Sequence, residues 1–420
     1  MILSLYAVLG IVLLPVAGLV VLVGCLLKPD WRPGVAARFG WAPRTAARPI
    51  VVWCASVGEV NTAQHLIRAL LAAGAAPVTV TVFTPSGLAR ARELFGESAT
   101  VCLAPLDIAP VVAGWLRRQQ PRLVILFETE MWPWFIRSAR RRDIPVAVVN
   151  GRLSDRSFKS YRLLRGLLTP SLARLNLVLA QNEEFVSRFV ALGAAPERAG
   201  VSGSLKFDVE TAGAPDEDVR ALYRGFGAGR RLLVAGSTHA GEESRLAETL
   251  RRLRPTWPNL ALIVAPRHLK RCDEAARDLE AAGCRVVRRS QARPENVAAA
   301  DVLLIDVFGE LSWAYGLGEA AFVGGSFAPA GGHNVLEPAA LGVPVAVGPL
   351  TPNFRQEVEA LRQAGVLRQV KDGAELAAVF HEWLADDSRR FARGETARLT
   401  VQKHQGATAR TLAALQPFLS

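Results

Sequence analysis

From residue 50 onward the sequence repeats one pattern, in which a short apolar run is followed by a turn with glycine or serine and then by an amphipathic stretch of helical period. The pairs are 49–55 and 61–73, 77–83 and 86–95, 122–127 and 132–141, 232–235 and 242–253, 261–265 and 269–282, and 302–305 and 311–317. Alternating strands and helices predict parallel β-sheets that are covered by helices on both faces. Half of the residues are hydrophobic and 21% are charged, which excludes wholesale disorder, collagen and coiled-coil structures.

The length of 420 residues favours about two domains. Residues 209–217 are mostly small or acidic and include a proline. They are therefore predicted to link a first α/β domain, residues 28–208, to a second, residues 218–420. We expect two Rossmann-like domains facing each other across a cleft, because ligands bind at the carboxyl ends of the strands in such sheets.

Residues 2–27 contain no charged side chain. As a helix this segment would be about 39 Å long, enough to cross a hydrocarbon core of about 30 Å with some tilt. The charged residues that follow it, up to residue 48, are Lys28, Arg32, Arg38, Arg44 and Arg48, with Asp30 as the single acid. The positive-inside rule therefore predicts that residues 1–27 form a single-pass transmembrane anchor, with the rest of the chain in the cytoplasm. A cleaved signal peptide is the alternative, but the first six residues lack the Lys or Arg that such peptides carry.

The formal net charge of +12 favours an anionic partner: nucleic acid, a phosphorylated small molecule or an acidic membrane surface. No helix-turn-helix, RRM or zinc-finger pattern occurs, so we expect no nucleic-acid partner. Five cysteines without a CxxC pair argue against a disulfide framework and a structural zinc site.

One stretch of the first domain combines basic and apolar residues. The basic residues are Arg137, Arg140, Arg141, Arg142, Arg152, Arg156, Lys159, Arg162 and Arg165, and the apolar ones are Trp134, Phe135, Phe158, Tyr161, Leu163, Leu164, Leu167 and Leu168. Such a surface is typical of proteins that bind anionic lipids. Ordinary amphipathic helices that cover a sheet are the alternative.

Three charged residues of the first domain lie where predicted strands end. Glu59 falls between a buried strand and a helix, and Glu128 directly follows the apolar run LVILF. Lys206 closes the domain just before the linker. The carboxyl end of a parallel strand is the usual place for catalytic groups. An acid at a helix start is also favourable without any chemistry, and a lysine can simply be solvated.

Several turns of the second domain are rich in glycine and follow predicted strands. They span residues 236–243, 266–268, 308–311, 323–326 and 331–338. Glycines ahead of a helix let backbone N–H groups approach a phosphate, so with Arg267 among them these turns predict a nucleotide site. Glu337 is a candidate for binding ribose hydroxyls. No metal-binding spacing, GxGxxG fingerprint or P-loop occurs, so we expect no metal ion and no cofactor.

Taken together, the motifs resemble the 3-deoxy-D-manno-octulosonic acid (Kdo) transferases of lipopolysaccharide synthesis. The matching segments are ASVGE 55–59, FETEMWP 127–133, NGRLS 150–154, AQNEE 180–184, GSLKFD 203–208, GSTHAGEE 236–243, PRH 266–268, GEL 309–311, FVGGSF 322–327 and GGHNVLEPAA 331–340. The resemblance implies a glycosyltransferase-B fold, with CMP-Kdo as donor and a tetraacyl lipid A precursor as acceptor. It also implies a site at the inner leaflet of the bacterial inner membrane, with an anionic membrane surface as partner.

The resemblance also implies roles for individual residues. By motif, Glu59 corresponds to the general base, and Glu128 and Lys206 correspond to transition-state stabilisers. The resemblance further implies that CMP binds to three short segments. Their residues are Pro266, Arg267, Phe308, Gly309, Glu310, Asn334, Val335, Leu336 and Glu337. This chain departs from the family at Leu350, where the family typically has a polar His in GPHTFNF, and this puts a donor contact at that position in doubt.

Two alternatives stay open at this point. One is another membrane-anchored sugar-nucleotide enzyme, either a different lipid-linked glycosyltransferase or a sugar 2-epimerase. The other is a membrane-tethered nucleotide-binding scaffold without turnover. Loss of Glu59 distinguishes the scaffold from a transferase, since a scaffold would tolerate this loss and a transferase would not.

Overall fold

The computed structural model of the chain describes residues 2–45, 47–209 and 213–419. The chain folds into two compact units. The first unit comprises Met1–Asp208 together with Gln405–Ser420, and the second comprises Val209–His404.

The first unit is built on a seven-stranded parallel sheet. Its strands are β1 (Ile50–Cys54), β2 (Val78–Val82), β3 (Thr100–Leu103), β4 (Leu123–Phe127), β5 (Val146–Gly151), β6 (Leu177–Ala180) and β7 (Ala199–Val201). Their order is β3-β2-β1-β4-β5-β6-β7, and every residue of β1, β2, β4 and β5 is buried. Near-continuous Val, Ile and Leu runs are what a parallel sheet covered on both faces requires.

Helices cover both the sheet and its loops. They are α1 (Ile2–Leu27), α2 (Val35–Arg38), α3 (Val57–Ala73), α4 (Pro85–Phe95), α5 (Ala109–Gln119), α6 (Pro133–Arg140), α7 (Asp155–Leu163), α8 (Arg165–Leu172) and α9 (Glu183–Ala191). Local sequence sets several of their ends. The Thr84 hydroxyl accepts the Gly87 N–H at the start of α4, and Gly74 ends α3 in the left-handed conformation at φ 62°.

Helix α1 confirms the helix predicted for residues 2–27. Within it, Leu5–Leu27 has a mean hydropathy of 2.8, so the helix is long and apolar enough to cross a membrane by length and composition. None of the apolar span is buried in the protein. Near its start, the Tyr6 hydroxyl donates a hydrogen bond of 2.9 Å to the Asp107 carboxylate.

The second unit repeats the architecture. Its strands are β8 (Arg231–Thr238), β9 (Leu260–Pro266), β10 (Val286–Arg288), β11 (Val302–Leu304), β12 (Ala320–Val323), β13 (Val345–Val347) and β14 (Leu367–Gln369). They form a parallel sheet in the order β10-β11-β9-β8-β12-β13-β14. Its helices are α10 (Glu217–Gly227), α11 (Glu242–Leu253), α12 (Cys272–Ala281), α13 (Pro294–Val297), α14 (Leu311–Ala314), α15 (Leu336–Ala340), α16 (Arg355–Gln363), α17 (Gly373–Ala385) and α18 (Asp387–His404). The prediction of two parallel-sheet α/β domains is confirmed.

The last helix, α19 (Ala407–Leu415), belongs to the first unit. The Asp208 carboxylate accepts the N–H groups of Gly406, Ala407 and Thr408 at 2.5–3.3 Å, and Leu415 is buried in the first core. The predicted second domain, residues 218–420, was therefore wrong for its last 16 residues, because their apolar side chains complete the other core. Residues 210–212 of the predicted linker lie outside the described residues. Helix α10 begins at Glu217, the last residue of the predicted linker.

Candidate active site and nucleotide-binding site

In the first sheet the strand order changes direction between β1 and β4. Open α/β sheets bind ligands in the crevice outside the carboxyl ends of the strands at such a switch point. Glu59 lies in the first turn of α3, just after β1, and Glu128 directly follows β4. The structure therefore brings these two predicted residues to the same place in the sheet.

The Glu59 carboxylate is largely shielded from water. Its pKa is raised to about 8, mainly by burial and also by the nearby carboxylates of Glu128 and Glu130, while the hydrogen bond that Oε2 accepts from the Ala55 N–H at 2.7 Å lowers it. A carboxyl group that titrates near neutral pH can accept a proton from a substrate hydroxyl. The bond to Ala55 also ties the start of α3 to the end of β1, so Glu59 has a structural role as well.

Glu128 has the backbone conformation of a left-handed residue, with φ 54°. Asn150, at the end of the neighbouring strand β5, has φ 53°, and its side-chain N–H donates to Glu128 Oε1 at 3.3 Å. Non-glycine residues with positive φ are strained, and such strain clusters at functional sites. Two strained residues therefore hold each other at the carboxyl edge of the sheet.

Asn150 also connects Glu128 to the segment that carries Lys206. Its side-chain oxygen accepts the Leu205 N–H at 3.0 Å, and Lys206 follows in the single 3₁₀ turn Leu205–Phe207. Asn150 is fully buried, and Gln181 donates to its carbonyl oxygen at 3.2 Å. The sequence analysis gave Asn150 no role, although the NGRLS motif marked its position.

An aromatic wall lies beside these acids. Trp132 stacks on Trp53 and Phe83 with ring centroids 5.9 and 5.5 Å apart, and its indole N–H donates to Glu130 Oε2 at 2.6 Å. Burial raises the pKa of Glu130. The site in the first unit is therefore a cluster of shielded carboxyl groups against an apolar surface.

Some residues of the predicted basic and apolar surface are buried, and others are exposed. Phe135 and Leu168 are buried in the core, where they pack under the sheet. At the junction of α7 and α8, however, Leu163 and Leu164 are 88% and 51% exposed between Arg162 and Arg165. The basic and apolar character is therefore concentrated at this junction.

In the second sheet the strand order changes direction between β8 and β12. His239 follows β8, and Gly324 to Phe327 follow β12. Pro266 ends the adjacent strand β9, and the Arg267 N–H donates to the Thr238 carbonyl at 3.0 Å. The carboxyl edge of this sheet is thus the second candidate ligand site.

Glu337 and Asn334 form part of this edge. The Glu337 carboxylate accepts the Ser312 hydroxyl at 2.9 Å and the Asn334 side-chain N–H at 3.1 Å. Burial raises the pKa of Glu337, and the positive charge of Arg267 is among the effects that lower it, so these two predicted residues lie near each other. Val335 and Leu336 are fully buried, so neither side chain is accessible to a ligand.

The predicted segment 308–310 presents an aromatic ring to solvent. Phe308 is 85% exposed, and Gly309 has φ 87°. The Glu310 carboxylate accepts the Tyr223 hydroxyl at 2.8 Å and the Arg289 Nε–H at 2.9 Å. Glu310 therefore holds its own loop in place through these two bonds.

Leu350, the departure from the family pattern, is 42% exposed. Its N–H donates to the Ser326 carbonyl at 2.9 Å, and the Ser326 hydroxyl accepts the Gly348 N–H at 2.8 Å. The loop after β13 is therefore fixed by its backbone, whichever side chain residue 350 carries.

Glu242, which the sequence analysis did not single out, is buried at the start of α11. Its carboxylate accepts the N–H groups of His239, Gly325, Ser326 and Phe327 at 2.8–3.1 Å. The expectation that the turn after β12 offers its N–H groups to a phosphate was wrong, because an internal carboxylate already occupies them. The adjacent acids in GSTHAGEE were the available signal. Among residues 2–45, 47–209 and 213–419, no group of three His, Cys, Asp or Glu is arranged to hold a metal ion.

Comparison with solved structures identifies the class of fold. The UDP-GlcNAc 2-epimerase of Neisseria meningitidis, solved bound to UDP-GlcNAc, superposes with a TM-score of 0.57 over 88% of this chain and 100% of that one, at 13% identity. Two parallel-sheet α/β units of this kind define the glycosyltransferase-B type of fold.

The sequence comparisons identify the family. The family model for 3-deoxy-D-manno-octulosonic-acid transferase (kdotransferase) matches residues 34–209. The 3-deoxy-D-manno-octulosonic acid transferases of Bordetella pertussis and Haemophilus influenzae are 37% and 32% identical to this chain, and each match covers 93% of both proteins. The chain belongs to the Kdo transferase family and is a glycosyltransferase.

Proposed function

We propose that this chain transfers Kdo from CMP-Kdo to a hydroxyl group of a tetraacyl lipid A precursor, with inversion at the sugar C2 atom. The observation that carries the proposal is the shielded Glu59 carboxyl group at the β1/β4 switch point, whose pKa is raised to about 8. We assign the acceptor and the base to the first unit and the donor to the second.

Glu59 acts as the general base, taking the proton from the acceptor hydroxyl as its oxygen attacks C2. Positive charge develops on the sugar as the bond to phosphate breaks, and the Glu128 carboxylate stabilises it electrostatically. Lys206, whose segment Asn150 ties to Glu128, stabilises the anionic groups of the donor.

Arg267 and Glu337 contact the nucleotide in the second unit, where Arg267 pairs with phosphate and Glu337 accepts from ribose hydroxyls. The exposed ring of Phe308 provides a surface for the base, since aromatic rings stack on nucleobases. The backbone of Gly309 and of residues 334–336 completes the contacts. No step assigned to these residues requires a metal ion or a cofactor.

The acceptor is a lipid, which places the enzyme at the inner leaflet of the inner membrane. We assign two membrane contacts, the span in α1 and the exposed pair Leu163 and Leu164 with the basic residues around it. Insertion of α1 with its N-terminus across the bilayer would break the Tyr6–Asp107 hydrogen bond, because 22 residues of helix separate Tyr6 from Lys28 by about 33 Å. Tyr6→Phe should therefore leave transfer in membranes unchanged.

The test is incubation of the purified full chain with radiolabelled CMP-Kdo and a tetraacyl lipid A precursor, followed by chromatography of the lipid. Label in the lipid with the wild-type chain and none with Glu59→Gln is the expected result. Consumption of CMP-Kdo without a labelled lipid would reject the acceptor, and no consumption would reject the donor. Transfer that continues unchanged in excess EDTA is expected, and its loss would reject metal independence.

A further inference from the structure

Three histidines gather at the carboxyl edge of the second sheet. His239 follows β8, His268 follows β9 and His333 precedes α15. The Nε2 atoms of His239 and His333 are 2.9 Å apart, and their rings are stacked with centroids 5.1 Å apart. The His268 ring lies 6.0 Å from that of His239. At 2.9 Å one of the two facing nitrogens donates a proton and the other accepts it, so His239 and His333 form a hydrogen-bonded imidazole pair.

The surrounding backbone is shaped to hold this pair. Glu242 accepts the N–H groups of both His239 and Gly325, which fixes the turns after β8 and β12 relative to each other. Gly325 has φ 65°, and a Cβ atom there would come within 2.8 Å of the His333 ring. The β8/β12 switch point is where a sheet of this order binds ligands, so the pair lies at the expected ligand site.

The charges around the pair are mainly positive. The pKa of His333 is lowered to about 4, mainly by burial and also by the positive charges of Arg267, His239 and His268. Lys270 and Arg271 act in the same direction on His268. Three acids lie at this edge and are already engaged. Glu242 accepts four backbone N–H groups, Glu337 accepts from Ser312 and Asn334, and Glu243 accepts from Thr238 and pairs with Arg271.

We propose that His239 and His333 bind the phosphate group of the nucleotide donor and take up one proton as it binds. The inference rests on the proposed assignment of the donor to this unit. An imidazole pair can carry one positive charge and keep its N–H···N hydrogen bond, because the added proton occupies the outer nitrogen of the donating ring. A phosphate beside Arg267 offsets the positive charge that lowers the pKa of His333.

The proton has a use in the transfer. The bond between the sugar C2 and the phosphate oxygen breaks with its electron pair remaining on that oxygen, so the phosphate changes from one negative charge to two. The new bond forms between C2 and the acceptor oxygen, whose proton passes to Glu59. The positive charge on the imidazole pair therefore stabilises the additional negative charge that the departing phosphate gains.

Titration calorimetry of the full chain with CMP, in two buffers of different ionisation enthalpy at pH 7, measures the protons taken up on binding. We expect about one proton with CMP and none with cytidine, which lacks the phosphate. CMP affinity should also fall as the pH rises from about 6.5 to 8, a range above the phosphate pKa of about 6. CMP binding without proton uptake, or proton uptake with free Kdo alone, would overturn the proposal.

His239→Gln and His333→Gln each keep an N–H group near the position of Nε2 but cannot gain a proton. Each should abolish the proton uptake and weaken CMP binding at least about tenfold, while cytidine binding stays unchanged. His381→Gln, in α17 against Trp257, is the matched control and should behave as wild type. Unchanged CMP binding in both test variants would overturn the proposal, and if they fail to fold, the wild-type proton count still decides it. Wild-type protein that binds neither CMP nor cytidine would instead overturn the donor site itself.

Discussion

The two units share a topology and differ in the chemistry at their carboxyl edges. Each sheet reverses its strand order once, at β1/β4 in the first unit and at β8/β12 in the second. The first edge carries Glu59, Glu128 and Glu130, whereas the second carries Arg267 and the histidines, and its acids Glu242 and Glu337 already accept hydrogen bonds from the protein. The acidic edge is suited to accepting a proton and the basic edge to holding an anion. In the proposed function, one architecture therefore serves both halves of a group transfer, and the side chains after the strands determine which half each unit performs.

The largest effect is expected from the acidic edge. Glu59→Gln keeps the shape of the side chain but removes the ability to accept a proton, so transfer should fall at least about 100-fold. CMP binding should persist, because the donor is assigned to the other unit. Initial rates of lipid labelling measure the effect, with Glu93→Gln on the exposed face of α4 as the control. Near-normal turnover would remove Glu59 from the mechanism.

The basic edge should respond in binding. Arg267→Ala and Glu337→Ala should each weaken CMP binding about tenfold or more without unfolding the protein, because a charged or polar contact to the nucleotide is lost. Calorimetry measures the affinity, and Arg277→Ala on the exposed side of α12 serves as the control. Unchanged CMP affinity in both variants would contradict the assignment of the donor to the carboxyl edge of the second sheet.

Asn150 tests whether the acidic edge works as a connected unit. Asn150→Ala removes the donor to Glu128 and the acceptor for the Leu205 N–H, which should lower transfer about tenfold and destabilise the fold by about 1–3 kcal/mol. Asn150→Asp keeps the acceptor but places a carboxylate beside Glu128, so it should retain more stability than activity. Thermal unfolding and kcat measured together decide this, and equal losses in the two variants would reduce Asn150 to a packing residue.

Membrane attachment should follow the first unit. Deletion of residues 1–27 should leave a folded protein that binds anionic vesicles at low salt and is released at high salt, because the remaining contact is electrostatic. Vesicle sedimentation measures this. Leu163→Ser with Leu164→Ser in the truncated chain should reduce the binding several-fold, about 1 kcal/mol for the lost apolar contact. Absence of vesicle binding at low salt would mean that α7 and α8 only cover the sheet.

The last expected effect is on stability rather than on activity or binding. The pKa of Glu59 is raised to about 8 in the folded state, so the native protein binds more protons than the unfolded chain from about pH 4.5 to 8 and loses stability as the pH rises through that range. Glu59→Gln cannot ionise, and it should therefore gain stability relative to wild type above pH 8 and differ little below pH 4.5. Chemical denaturation at pH 5 and pH 9 measures the difference. A stability difference that is independent of pH would mean that Glu59 is not shielded.

Much of this arrangement could be predicted from the sequence. The six predicted pairs of strand and helix are all present. They could be recognised because the sequences of buried parallel strands are continuous apolar runs. Five strands were not predicted. The edge strands β3, β7, β10 and β14 and the inner strand β6 are only three or four residues long and partly exposed, so they lack such runs. It placed Glu59, Glu128 and Arg267 at strand ends correctly.

Contacts between distant segments were beyond sequence reasoning. His239 and His333 are 94 residues apart, and nothing in either motif indicates that their rings meet. Glu242 opens helix α11, and the sequence does not indicate that its carboxylate accepts three N–H groups from the turn after β12. Pairing across the switch point is set by sheet order, which a single sequence does not specify.

The hydrogen bonds between the Asp208 carboxylate and the start of α19 have a consequence for biosynthesis. Since the first unit resumes at Gln405, its core lacks helix α19 until residues 405–419 have been synthesised, whereas every residue of the second unit precedes them in the chain. Helix α19 packs against α3, the helix that carries Glu59. A nascent chain synthesised only as far as His404 would therefore contain every residue of the second unit, while α3, the helix of the proposed base, still lacked one of the helices that pack against it.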